Sequence, residues 1–215
     1  MGRILEVDAR GTLSRRVLGE YTEYDIVEAA IKKASTLTLS NRAITVSGLS
    51  RNMDIIIKAL AEFKEKEKRN VAPQQYAKAD EIALEVGIIR PEYFGLDTYL
   101  QTGLSVGTYH IIPTGAGAFS IPDKNLCIIT DLIELQPTAN VTSVLFADID
   151  GAQPVRPLSL ADVVKITDMH LYELAFPAMA DLTLDLDGKV EASGDSEIVP
   201  VGAWICLGRD IKALT

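Results

Sequence analysis

Carboxylates near the C-terminus are the residues whose type and spacing most readily suggest chemistry. The stretch LDLDGKVEASGDSE, residues 184–197, contains five Asp and Glu side chains, and carboxylate oxygens are ligands that Ca²⁺ prefers. An EF-hand loop is excluded, because placing Gly188 at its fixed glycine position puts Thr183 at the first ligand and Gly194 at the closing acid. We expect a solvated strand face near Asp185 and Asp187, with a calcium site formed by adjacent loops as the alternative.

The other groups that could do chemistry lack a recognisable motif. Asp148 and Asp150 in FADIDG are interpreted as polar groups of a strand end, again with calcium as the alternative. His110 and His170 have no nucleophile or ligand set beside them in sequence, so structural or surface roles are expected. The segment PTGAGAF lacks the lysine and the following helix of a phosphate-binding loop. We therefore predict no catalytic, cofactor-binding or metal-binding residue, no cofactor, and a non-enzymatic protein.

The two cysteines, Cys127 and Cys206, lie in the apolar runs NLCIIT and AWICLG. Such surroundings are typical of buried, reduced thiols that pack as small hydrophobic groups. A disulfide between adjacent strands stays open, because sequence spacing does not fix pairing. The low counts of Asn and Gln, five of each, would suit a thermophilic source.

Composition and charge restrict the classes of partner. The chain has 215 residues, of which 47% are hydrophobic, which predicts a folded protein. Its net charge of −9 comes entirely from residues 111–215, which carry 6 basic and 15 acidic side chains, so nucleic acid is an unlikely partner for that half. Neither a signal peptide nor an apolar run of about 18 residues is evident, and we expect a cytoplasmic or virion location without a membrane span.

The first half predicts a mixed α/β domain over residues 1–95. TEYDIVEAAIKKAS has the pattern of an amphipathic helix that begins at Thr22, with Asp25 completing the N-cap. NRAITVSG, residues 41–48, predicts a short strand, and a second amphipathic helix is expected from Asn52 to Lys68. The next segment predicts either a helix from Gln74 to about Glu85 or a strand from Ile82, and a helix followed by a short strand is preferred. Residues 96–106 are the expected linker.

The second half, residues 107–215, predicts an antiparallel β-sandwich, so the expected fold class is α+β with a jelly-roll-like C-terminal part. Strand-length segments separated by turn residues recur throughout it. The alternation of Leu182, Leu184 and Leu186 with polar residues predicts a half-buried strand, and Asp187-Gly188 predicts a tight hairpin turn. The expected segments are TYHIIP, GAFSIP, NLCIITDLIELQP, TSVLFADID, DVVKITD, YELAFP, LTLDLDGKVEAS and SEIVPVGAWICLG.

Part of the first half resembles Alba-type chromatin proteins. RVLGEYTEYDIVEAAI followed by AITVSGLSRNMDIIIKALAEF is similar to their strand-helix-strand-helix order, with Gly19 and Gly48 at suitable places. This resemblance covers at most residues 15–90 and implies association with nucleic acid. Glu20 and Tyr21 stand where Alba proteins have a basic pair, which counts against that role.

The second half resembles β-sandwich domains of virus and phage structural proteins. The likeness lies in TYHIIPTGAGAFSIPDKNLCIITDLIELQP and VEASGDSEIVPVGAWICLGRD, with expected turns at Ile121-Pro122 and at Pro200-Val201-Gly202. It implies a non-enzymatic shell, tail or accessory protein that self-associates and can contact other structural proteins. Trp204, Phe176 and Tyr172 are candidate contact residues, although Trp204 is expected in the core. A carbohydrate- or ligand-binding sandwich is the first alternative, and an Alba-like protein is the second.

Overall fold

The described part of the chain folds into three α-helices and two antiparallel sheets, a mixed α+β architecture. The computed structural model describes residues 22–37, 39–70, 84–113, 117–135, 140–152, 158–159, 164–166 and 169–207. The helices are α1 Glu23–Ala34, α2 Leu39–Arg51 and α3 Met53–Asn70, with a short 3₁₀ helix at Pro91–Phe94. The strands are β1 Leu84–Ile88, β2 Leu100–Leu104, β3 Gly107–Ile112, β4 Phe119–Ser120, β5 Asn125–Leu135, β6 Asn140–Ile149, β7 Leu158–Ser159, β8 Val164–Ile166, β9 Met169–Ala180, β10 Thr183–Ala192 and β11 Gly194–Leu207.

Two predicted helices are confirmed. The hydroxyl of Thr22 accepts a hydrogen bond from the Asp25 N–H, and the Asp25 carboxylate accepts one from the Thr22 N–H, so α1 begins with a complete capping box. Helix α3 covers the range expected from the apolar spacing of its residues. The predictions at Gly19, Glu20 and Tyr21, and residues 74–83 of the expected third helix, lie outside the described residues.

The strand predicted at residues 41–48 is wrong, because this segment belongs to α2. Helix α2 is buried at Thr45, Gly48 and Leu49, and Asn52 directly after the helix is buried too. These positions recur at helical spacing but are mostly small or polar. The spacing of apolar residues in this segment therefore does not indicate a helix. Gly48 packs closely against β5, where a Cβ would overlap the Asp131 carboxylate and the Thr130 hydroxyl. The second strand behind the Alba-type resemblance is thus helical.

The two sheets pair their strands in a nested order. The helix-covered sheet has the order β1-β11-β5-β9-β8, with β2 also paired to β11, and the second sheet has the order β3-β10-β6-β7, with β4 also paired to β10. If β2 and β4, which lie off the main strand paths, and β8 at the edge of its sheet are set aside, eight of the described strands remain. The first of these pairs with the last, the second with the seventh, the third with the sixth and the fourth with the fifth.

The expected hairpin turn at Asp187-Gly188 is wrong, because both residues lie inside the continuous strand β10. This strand pairs with β3 on one side and with β6 on the other, and hydrogen bonding on both edges overrides the local turn preference. Gly188 serves a different purpose: the ring of Tyr109 on β3 lies over it, in the space that a Cβ would fill. The expected turn at residues 200–202 is likewise a bulge within β11.

Two hydrophobic clusters hold three layers together. One cluster joins the facing sides of the two sheets and contains Trp204, Ile129, Leu132, Leu184 and Leu186. The other packs α1, α2 and α3 against the opposite side of the helix-covered sheet. Strand β1 and strand β2, which lies in the expected linker, both pair with β11. No helix in the described part of the chain is long and apolar enough to cross a membrane.

Candidate functional site

A histidine and an aspartate face each other on the outer side of the second sheet. His110 of β3 and Asp187 of β10 are register partners, and His110 Nδ1 lies 2.6 Å from Asp187 Oδ1. Strand alternation produces this placement, because Leu184, Leu186 and Val190 of β10 point into the core while Asp185 and Asp187 point outward. Both members of the His–Asp pair are partly buried.

A second aspartate lies beside this pair. One ligand atom each from His110, Asp185 and Asp187 can be chosen so that all three lie within 4.8 Å of one another. β3 contributes an extra residue opposite β10 at this level, and β6 does the same on the other side of β10, opposite Asp185 and Leu186. Bulges of this kind re-aim side chains, and they concentrate the three groups at one point of the sheet.

The local electrostatics disfavour the charged form of Asp185. Burial raises the pKa of Asp185, the negative charges of Asp187 and Asp148 raise this pKa further, and His110 partly offsets the rise. The Asp185 Oδ1 atom is enclosed and accepts no hydrogen bond from any described residue. Asp148 is held differently, since its Oδ1 accepts hydrogen bonds from the Gly151 N–H and the Thr183 hydroxyl.

A protruding aromatic side chain forms the second notable surface feature. Between the register pairs Ile129–Ala178 and Asp131–Glu173, one residue of β5 opposes four residues of β9, Leu174 to Pro177. This wide bulge carries Phe176, whose side chain is 76% exposed and is the most exposed large hydrophobic group described. Pro177 has no N–H to donate, so this part of β9 is poorly suited to pairing with another strand.

A partly buried ion pair lies beside the bulge, around the buried Asp131 carboxylate. Arg51 of α2 donates to Asp131 of β5 at 2.7 Å and contacts Glu173 of β9 at 2.9 Å. Asp131 is 1% exposed. Burial raises the pKa of Asp131, while the Arg51 guanidinium acts in the opposite direction. The arginine thus links a helix to the two strands that border the bulge.

The interior between the sheets contains a small polar group. The Tyr172 hydroxyl donates to the buried Glu134 carboxylate at 3.1 Å, and the hydroxyls of Tyr109 and Ser196 share a hydrogen bond of 3.1 Å. Burial raises the pKa of Tyr109 to about 12, and burial and Glu134 raise the pKa of Tyr172. Both phenols therefore stay protonated at neutral pH, and these contacts are interpreted as structural.

The remaining candidate residues divide between core, turn and surface. Cys127 and Cys206 are buried free thiols. Trp204 and Tyr172 are buried, and of the three candidate contact residues Phe176 is the exposed one. Asp150 accepts hydrogen bonds from three successive N–H groups at residues 181–183 and so stabilises the β9–β10 turn. The side chain of His170 lies outside the described residues.

Comparisons with protein families, with curated proteins and with solved structures find no match to this chain. Sequence reasoning did not bring His110, Asp185 and Asp187 together. The one available signal was the two-residue spacing of Asp185 and Asp187, which places both on one strand face.

Proposed function

We propose that this chain is a non-enzymatic structural protein whose copies assemble through contacts made by the Phe176 bulge. The observation that carries the proposal is the exposure of Phe176 on a four-residue bulge of β9. An aromatic side chain that stands out from a sheet costs free energy in water and provides a low-entropy anchor for an apolar contact. Such anchors dominate the binding energy of protein interfaces.

The strand order supports a jelly-roll-like sandwich within this proposal. Nested pairing of the first strand with the last and of the second with the seventh is what a folded-over antiparallel ribbon produces. Eight strands arranged in two sheets are typical of jelly rolls, which include viral capsid domains and also lectin domains. A virion component of a virus or phage is therefore the specific role that we propose.

The distribution of aromatic side chains favours assembly over sugar binding. A sugar platform requires exposed rings that lie close together, whereas Tyr93, Phe94, Phe119 and Trp204 pack against one another in the interior. Among the described aromatic residues, Tyr24 and Phe176 are more than half exposed, and they lie on different elements, α1 and β9. A single anchor is suited to insertion into a partner copy.

The unpaired edge of β9 and the net charge of the chain indicate which kind of contact would join two copies. No described strand pairs with the outer edge of β9 from Tyr172 to Ala180, because β8 pairs only with residues 169–171. Pro177 and the bulge disfavour edge-to-edge pairing there. The net charge of −9 also opposes association at long range, so the contact must be short-range and apolar. Insertion of Phe176 into a second copy meets these requirements.

Mass in solution tests the proposal. Multi-angle light scattering of the full chain at two protein concentrations that differ tenfold is expected to give a stable multiple of the 23.3 kDa chain mass. Raising the salt concentration is expected to strengthen the association slightly, because it screens the repulsion between acidic chains. A strict monomer at the higher concentration, in low and high salt, would contradict the proposal.

A further inference from the structure

We infer that His110, Asp185 and Asp187 form a binding site for a divalent transition-metal ion, with Zn²⁺ as the best-matched ion. The three ligand atoms come from two paired strands and lie within 4.8 Å of one another. This site lies on the outer side of the second sheet and does not depend on the assembly proposed above.

The ligand types determine the class of ion. One imidazole nitrogen and two carboxylate oxygens suit Zn²⁺ and related transition metals, whereas Ca²⁺ and Mg²⁺ favour sets made of oxygen alone. Three protein ligands leave at least one coordination position open for water or another molecule. The calcium alternative considered for Asp185 and Asp187 is therefore less well matched, because His110 completes the set.

The distances between the three ligand atoms can be compared with those of a tetrahedral zinc site. Zn²⁺ bonds of about 2.0–2.2 Å place ligand atoms roughly 3.3–3.6 Å apart. His110 Nδ1 and Asp187 Oδ1, now 2.6 Å apart, would separate by about 1 Å or less as the metal replaces the contact between them. An Asp185 oxygen lies within 4.8 Å of both of these atoms, so the third ligand atom is already near the other two.

The surroundings of the Asp185 carboxylate favour a bound cation. A His–Asp cross-strand pair is complete by itself and stabilises a sheet by about 0.2–1 kcal/mol. A further carboxylate beside it adds repulsion from Asp187 and Asp148, and its Oδ1 atom is enclosed without a hydrogen-bond partner among the described residues. A bound dication would remove this repulsion and provide the missing partner. Asp148 is left out of the proposed set because its Oδ1 already accepts two hydrogen bonds.

Zinc titration of the full chain, monitored by calorimetry, tests the inference. We expect one Zn²⁺ per chain, and we expect His110→Ala and Asp187→Asn each to weaken affinity at least about tenfold. Two matched controls should bind as the wild type does. Glu191→Gln removes a carboxylate on the same strand, and His170→Ala removes the other histidine of the chain. Asp187→Asn keeps the size of the side chain, so it tests the site even where His110→Ala impairs folding.

Cobalt substitution distinguishes ligation by nitrogen and oxygen from ligation by a thiolate. Co²⁺ bound by nitrogen and oxygen is expected to show visible d–d absorption without a thiolate charge-transfer band. Absence of Zn²⁺ binding, unchanged affinity in both site variants, loss of binding in the His170→Ala control, or a thiolate band from Cys127 or Cys206 would each overturn the inference.

Discussion

Replacing Gly188 by valine is expected to lower the free energy of unfolding by about 3 kcal/mol, at the upper end of the cost of overpacking a core. Any Cβ at position 188 would overlap the Tyr109 ring. That ring is buried and its hydroxyl bonds Ser196 across the interior, so it has little room to move. Urea denaturation of the wild type and the variant measures the difference.

A double-mutant cycle separates this explanation from a turn at Asp187-Gly188. If the cost arises from Tyr109, then adding Tyr109→Ala should remove most of the penalty of Gly188→Val. A turn glycine would show no such coupling. Ala192→Val serves as the control, because position 192 is exposed on the same strand and should change stability by less than about 0.5 kcal/mol. A penalty that is independent of Tyr109 would contradict the register of β3 and β10.

Removing the Arg51 side chain should lower the free energy of unfolding about as much as Gly188→Val does, because it removes an electrostatic interaction. Arg51→Ala leaves Asp131 buried without its cationic partner, and we expect a loss of about 3 kcal/mol at pH 7. Glu173→Gln is the matched control, because it removes the 58% exposed carboxylate bound to the same arginine and should cost less than about 1 kcal/mol. Thermal denaturation of the variants at a series of pH values provides the measurement.

The direction of the Asp131 pKa shift determines how the stability penalty of Arg51→Ala changes with pH. Burial raises the folded-state pKa of Asp131 above its ordinary value of 3.8, so its destabilising effect is absent below that value and grows as the pH rises through the folded pKa. Loss of Arg51 raises this pKa further. The penalty of Arg51→Ala should therefore shrink as the pH is lowered from 7 toward 4. A penalty that is equal at both pH values would show that the arginine acts through packing alone.

The sequence predicted those elements whose local signals agree with their packing. Helix α1 combines a capping box with an apolar stripe, and β5 is a long apolar run between turn residues. Helix α2 is not evident in the sequence because its buried positions include Thr45 and Gly48 as well as Leu49, so its apolar spacing is weak. Asp187-Gly188 was misread because hydrogen bonding on both sides of β10 outweighs a dipeptide preference.

The candidate site depends on information that a single sequence does not contain. Asp185 and Asp187 share a strand face by simple alternation, but the arrival of His110 depends on the register of β3 with β10, which lie more than seventy residues apart in sequence. The exposure of Phe176 similarly depends on a bulge, which appears only when β9 is paired with β5. The His110–Asp187 contact and the exposure of Phe176 therefore both depend on pairing between strands that are distant in sequence.

The most direct test of the assembly proposal compares two apolar surface positions by sedimentation equilibrium. Phe176→Ser removes the anchor on the β9 bulge, whereas Val106→Ser removes a 65% exposed apolar side chain next to β3. We predict that Phe176→Ser sediments as a monomer of 23.3 kDa at concentrations where the wild type and Val106→Ser remain associated. Equal association of all three proteins, or a monomeric wild type, would contradict the account.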